Sequence, residues 1–354
     1  MRVLVVGGAG YIGSVTVEDL LNAGHEVAVF DDFSYGHRTA LDKRASLIEG
    51  STHDPMNLAH AFANPPDAVV HFAAFIASAE SMADPGKYFH NNVGGTINVL
   101  NAMVEHDVSR FVFSSTAALF GEPDYLPIDE RHPLHPTSPY GESKLIVEQM
   151  LRWYDECRGV KSVALRYFNA SGAAERFGED HDPETHLIPI ALEVAQGIRP
   201  CLPVFGDDYD TPDGTCVRDY VHIQDLAQAH VLALDYTAKR SGRFNLGSGH
   251  GSSNLEVVNA VRRVTDLPVP IEMRPRRPGD PPKLVASSEL ARFELGWKPR
   301  FEDIDAIVAS AWKWHRAHPN GYGDVGGGTS NVLGGARPPI SPTLFPPILG
   351  ERGS

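Results

Sequence analysis

The chain has 354 residues and a formal net charge of −14, room for more than one lobe but a poor surface for nucleic acid or any other polyanion. Hydrophobic residues at 42% and charged residues at 21% fit a globular protein, and no run approaches the ~20 apolar residues of a membrane span. Three cysteines, Cys157, Cys201 and Cys216, are too few for a disulfide framework and lack metal-ligand spacing, which favours a reducing cytoplasm.

The opening VLVVGGAGYIG is apolar only briefly before it dissolves into glycines, so it predicts a buried strand rather than a signal segment. Further strands are predicted at 26–31, 46–50, 67–73, 110–115 and 161–168, several with apolar residues on consecutive positions, as parallel strands covered on both faces require. Helical patterns run over 11–24, 87–107 and 138–158. Strand and helix alternating in this way predict an α/β fold, a doubly wound parallel sheet over residues 1–168. Beyond residue 170, longer loops rich in Pro, Gly and Asp predict a smaller mixed α/β lobe, 169–216 and 248–321, with 217–247 returning to the main sheet. Residues 322–354, dense in Gly and Pro, are expected to form a disordered tail.

Gly7, Gly10 and Gly13 follow the first strand and open the first helix. Bare backbone there permits a tight turn and close approach of a pyrophosphate, which the helix N-terminus attracts. Asp31 and Asp32 end the second strand, about 20 residues on, where a carboxylate accepts ribose hydroxyls and repels a 2′-phosphate. The expected cofactor is NAD.

In SPYGESK, residues 138–144, Ser138 suits a helix cap, Pro139 the first helical position, and Tyr140 and Lys144 share a face. A tyrosine titrates near ~10, so ionising it at neutral pH needs about 4 kcal/mol, which an ammonium and a cationic ring can supply. The HDPETH stretch, 181–186, suggests metal ligands, but no second cluster completes a four-ligand set, so no metal is expected.

The segments GGAGYIG, HFAA, NNVGGT, FSSTAALFG, SPYGESK, LRYFNASGA, DGTCVRDYVH and RRPGD resemble the extended short-chain dehydrogenase/reductase family, in the order and spacing of its branch that inverts C4 of UDP-glucose. The resemblance covers residues 1–320 or so. It implies a homodimeric enzyme that holds NAD tightly and interconverts UDP-galactose and UDP-glucose. Tyr140 would be the base, Lys144 would hold the cofactor ribose and lower the tyrosine pKa, and Thr116 would bond the sugar 4-oxygen. Tyr11, Ile12, Phe72, Ala73, Ala74, Asn91 and Phe168 would join the glycines and Asp31 and Asp32 around the cofactor. Asn169, His186, Leu187, Phe205, Arg218, Arg277 and Asp280 would hold the uridine diphosphate, the arginines as bidentate forks on phosphate. Leu284 would limit sugar bulk. Two positions depart from the family pattern, Ser51 where an Asp commonly bonds the adenine and Ile76 where a Lys is common. Ala117 and Ala118 follow Thr116 where sugar-nucleotide dehydratases carry an acid pair, which favours epimerisation over dehydration. Other UDP-sugars stay open as substrates.

Overall fold

The structure, a computed structural model, describes residues 1–277 and 279–323. Val3, Leu4, Val5 and Val6 are all buried, so their strand needs cover on both faces, and helices supply it. The first half runs β1 (Arg2–Val6), α1 (Tyr11–Asn22), β2 (Glu26–Asp31), β3 (Ser46–Glu49), α2 (Pro55–Phe62), β4 (Ala68–His71), α3 (Ser78–Ala83), α4 (Pro85–Tyr88), α5 (Gly95–Glu105), β5 (Arg110–Thr116), α6 (Pro139–Arg158) and β6 (Lys161–Tyr167). The second half adds β7 (Asn169–Ser171), α7 (Leu187–Ala195), β8 (Leu202–Phe205), β9 (Val217–His222), α8 (Ile223–Thr237), β10 (Gly242–Leu246), β11 (Gly251–Ser253), α9 (Asn254–Thr265), β12 (Ile271–Arg274), β13 (Lys283–Leu284) and α10 (Ile304–Ala317).

Seven strands form one parallel sheet in the order β10-β6-β5-β4-β1-β2-β3. Apolar clusters cover both faces. One joins Val5, Val29 and Val70 to Val17 and Leu20 of α1 and to Leu226 and Ala233 of α8. The other joins Leu4, Val69 and Phe111 to Phe62 of α2, Val99 of α5 and Val147 of α6. The winding reverses between β1 and β4, and the crevice beyond the carboxyl ends of strands at such a switch is where ligands bind.

The segment 217–247 divides: α8 and β10 complete the main sheet as expected, but β9 leaves it to pair with β7, β11 and β13. That sheet, the β8–β12 pair and helices α7, α9 and α10 build a separate core around Leu192, Val258, Val261 and Val308. The helix expected over 87–107 is interrupted. A π-helical stretch, Phe89–Gly94, separates α4 from α5, and such wide turns recur at functional sites. Tyr322, at the start of the expected tail, donates its backbone N–H to Asp180 at 2.8 Å, and positions 324–354 lie outside the described residues. No helix among the described residues is long and apolar enough to cross a membrane.

Candidate active site

The chemistry-bearing residues gather at the carboxyl ends of β1, β4, β5 and β6. Gly7 leaves β1 with φ +82°, and a Cβ there would stand 2.5 Å from the Ala73 nitrogen. The Phe72 and Ala73 amides both donate to the Val6 carbonyl, at 2.8 and 3.1 Å, which draws the segment after β4 against the glycine turn. Gly13 packs as tightly, since its Cβ would meet the Gly7 carbonyl at 2.3 Å. Gly10 differs: a Cβ there would find nothing nearer than that same oxygen, at 3.6 Å. Its bareness serves no internal contact and leaves the N-terminus of α1, which has no side-chain cap, open to approach. An open glycine at a helix N-terminus fits a pyrophosphate, so these residues suit a dinucleotide.

Asp31 is buried, and its two oxygens accept the Ala9 and Phe33 amides, each at 2.9 Å. Burial raises its pKa, and those two amides oppose the rise. Asp32 is exposed and turns to the Ser34 amide and hydroxyl, at 2.9 and 2.6 Å. Asp31 therefore fixes the glycine loop as well as facing its crevice, a double duty the sequence alone does not reveal. Asn91 is half-buried and bonds its neighbour Asn92 at 3.1 Å. Ser51 takes the His53 amide on its hydroxyl at 3.3 Å, and Ile76 is exposed.

Helix α6 starts as its sequence requires. Ser138 accepts the Gly141 amide at 3.2 Å, and Pro139 occupies the first turn. Gly141 explains the glycine between tyrosine and lysine: a Cβ would lie 2.5 Å from the Ala118 carbonyl. Its absence lets α6 close on the turn after β5, where Thr116 stands close enough to the Tyr140 phenol to lower its pKa. Three residues that motif reasoning missed steady this junction. Ser81 of α3 accepts the Tyr140 amide at 3.2 Å, Ser143 bonds the Tyr140 carbonyl at 2.7 Å, and buried Asn92 bonds Ser143 at 3.0 Å and both backbone groups of Phe75. Ser81 and Asn92 meet partners more than fifty residues away, and only the polarity of short side chains beside a helix start hints at them.

The electrostatics differ from the expectation. Burial raises the Tyr140 pKa, Thr116 only partly offsetting it. Lys144 is 2% exposed, donates to the Ser114 carbonyl at 2.8 Å and lies 4.8 Å from the Phe113 ring centre. Burial brings it down to about 7, with Glu148 opposing. The chain alone thus keeps the phenol protonated, and Lys144 is not among the groups that set its pKa. Phe168 lies in an apolar cluster with Ala117, Phe120, Ile128 and Ala286, against which Leu284 packs.

Seven residues expected to hold a nucleotide, Asn169, His186, Leu187, Phe205, Arg218, Arg277 and Asp280, line one cavity of about 270 Å³ in the second lobe. Arg218 pairs there with Asp280 and donates to the Val217 carbonyl. Arg277 stacks on the Phe205 ring, its guanidinium carbon 3.9 Å from the centroid. At the cavity edge Glu179 comes within 4.8 Å of His181, Glu184 and His186 of the HDPETH stretch. Burial disfavours charge on both imidazoles, but the two carboxylates outweigh it and raise both pKa values, that of His181 to about 9.

Residues 3–247 match the NAD dependent epimerase/dehydratase family. The chain belongs to that family. It is 54% identical over 329 residues, 92% of this chain and 99% of the relative, to UDP-glucose 4-epimerase of Lacticaseibacillus casei. The corresponding enzyme of Streptococcus mutans is 53% identical over 331 residues, again 92% of this chain and 99% of the relative. A crystal structure of UDP-glucose 4-epimerase from Bifidobacterium longum with NAD⁺ and UDP superposes with a TM-score of 0.87 at 40% identity, covering 91% of this chain and all of that one.

Proposed function

We propose that the protein interconverts UDP-galactose and UDP-glucose, with Tyr140 as the base at the sugar 4-hydroxyl. The observation that carries this reading is the start of α6, where Ser138 caps the helix, Gly141 lets it close against the Ala118 carbonyl, and Tyr140 and Lys144 are held at the end of β5. NAD, when bound, would supply a reversible acceptor for the hydrogen at C4 and a positive charge. Gly7, Gly10 and Gly13 would cradle its pyrophosphate, with Asp31 near the ribose. That charge favours the phenolate and offsets the burial that otherwise keeps Tyr140 protonated. Tyr140 takes the hydroxyl proton and returns it at the end, while the Thr116 hydroxyl donates to the 4-oxygen as charge develops. Lys144, buried and bonded to the Ser114 carbonyl at 2.8 Å, would anchor the cofactor ribose. Inversion requires the intermediate ketone to present its other face, and the cavity permits that if the nucleotide half stays gripped by Arg218 and Arg277 while the sugar turns.

Ala117 is 8% exposed behind Thr116 and brings no proton donor, so expulsion of a 6-hydroxyl lacks an acid. The reading extends to a homodimer in the cytoplasm. Leu151 of α6 is 3% exposed in the core, which leaves Trp153, 54% exposed, as the apolar anchor on that helix. The test is direct: purified protein converts UDP-galactose to UDP-glucose with no NAD added. Tyr140→Phe loses about 10³-fold in turnover while its NAD content stays unchanged. Full turnover in that variant would remove Tyr140 from the mechanism.

A further inference from the structure

We propose that Glu179, His181, Glu184 and His186 form a binding site for one divalent transition-metal ion of the zinc type, at the seam between the glycine loop and the nucleotide cavity. Two imidazole nitrogens and two carboxylate oxygens, all within 4.8 Å of one another, come from eight consecutive residues. Glu179 Oε1 lies 2.8 Å from His186 Nδ1 and 3.2 Å from His181 Nδ1. Glu184 Oε1 lies 2.9 Å from His186 Nδ1, and its Oε2 lies 3.8 Å from His181 Nδ1. Zinc with bonds of about 2.1 Å holds tetrahedral ligands about 3.4 Å apart, and these four separations straddle that value. Mixed imidazole and carboxylate donors suit zinc better than calcium or magnesium, which take oxygen.

A second observation is independent of the composition. His181 Nδ1 is wholly buried and makes no hydrogen bond, although two carboxylates stand beside it. His186 Nδ1, by contrast, hydrogen-bonds Glu184 Oε1 at 2.9 Å, so His181 is the imidazole left without a hydrogen-bond partner in the cluster. The rival arrangement is a metal-free set of imidazolium–carboxylate pairs made by the same residues.

The position gives the ion a purpose. His181 packs edge-on against Tyr11 of the glycine loop, centroids 6.0 Å apart, and the Tyr11 hydroxyl donates to the Gly172 carbonyl at 2.5 Å. Glu179 and His186 line the nucleotide cavity, and His186 directly precedes α7. The ion would clasp the segment before α7 and fix the cavity wall against the cofactor loop. This inference does not depend on the epimerase reading, because metal content is measured with no substrate present.

The experiment strips the full-length protein with a strong chelator, dialyses it against buffered Zn²⁺ and measures zinc per chain by elemental analysis. The wild type should bind about one, and His181→Gln and Glu184→Gln should each bind at least about tenfold more weakly. Zinc should raise the melting temperature of the wild type by mass action but not that of the variants. Co²⁺ in the wild type should give the intense visible absorption of a tetrahedral site, a readout that stands even if a variant fails to fold. No zinc on the wild type, undiminished zinc on both folded variants, or a weak octahedral cobalt spectrum would each overturn the proposal.

Discussion

At the scale of single residues, glycines separate packing from ligand binding. Gly7 has φ +82° and backbone 2.5 Å from any added Cβ, so Gly7→Ala should be destabilised by several kcal/mol and lose cofactor with its fold. Gly10 has φ −80° and no internal neighbour inside 3.6 Å, so Gly10→Ala should melt like the wild type when cofactor-free yet retain far less NAD. Equal NAD retention in Gly10→Ala would show that the cradle lies elsewhere. Lys144 yields a pH prediction. Its folded pKa of about 7 lies below the ordinary 10.5, so between those values the unfolded chain holds a proton that the folded one lacks. Stability of the cofactor-free protein should therefore rise with pH across that window, by up to about 1.4 kcal/mol per pH unit from this group. Lys144→Met should lose that rise, and parallel denaturant midpoints for both proteins from pH 7 to 10 would refute the burial argument. The glycines, Tyr140 and Lys144 were legible because their spacing is local. The second task of Asp31, and the supports Ser81 and Asn92, were not, because each depends on a partner brought close only by folding.

Among the elements, α6 is held by a buried network. Glu148 accepts from Arg166 of β6, closest at 2.6 Å, and from the Ser115 hydroxyl of β5 at 2.6 Å, with Arg166 1% and Glu148 3% exposed at the side chain. Breaking one side strands the other charge in the core, at about 3–5 kcal/mol. Arg166→Met should thus lower the urea midpoint sharply. A loss under about 1 kcal/mol would mean that water reaches the pair. All six early strands were readable from runs such as DAVVHFA, whose apolar residues stand next to each other. Helix α2 was not read, although Asp54, which accepts the Met56 and Asn57 amides, and Pro55 form a cap signal. The break at Phe89–Gly94 had no such signal. It arises where Asn92 is drawn toward Phe75 and where a Cβ on Gly95 would lie 2.5 Å from the Thr52 hydroxyl.

For the whole molecule, the doubly wound sheet followed from periodicity, but the second lobe's pairing did not. Strands β7 and β13 are three and two residues long, too short for alternation to register, and β9 looks like a further sheet strand until its partners are known. Assembly belongs to this scale. An exposed Trp153 on α6 predicts a dimer at micromolar concentration by light scattering, converted to monomer by Trp153→Glu, and a wild-type monomer would exclude it. The central claim is that one sugar carbon gives up its hydrogen inside the protein and receives the same one back on the opposite face. The measurement that addresses it most directly uses UDP-galactose carrying deuterium at C4, incubated in ordinary water with no added NAD and analysed by NMR. The UDP-glucose formed should carry the deuterium still at C4; hydrogen from water at that carbon would rule out return of the same hydrogen.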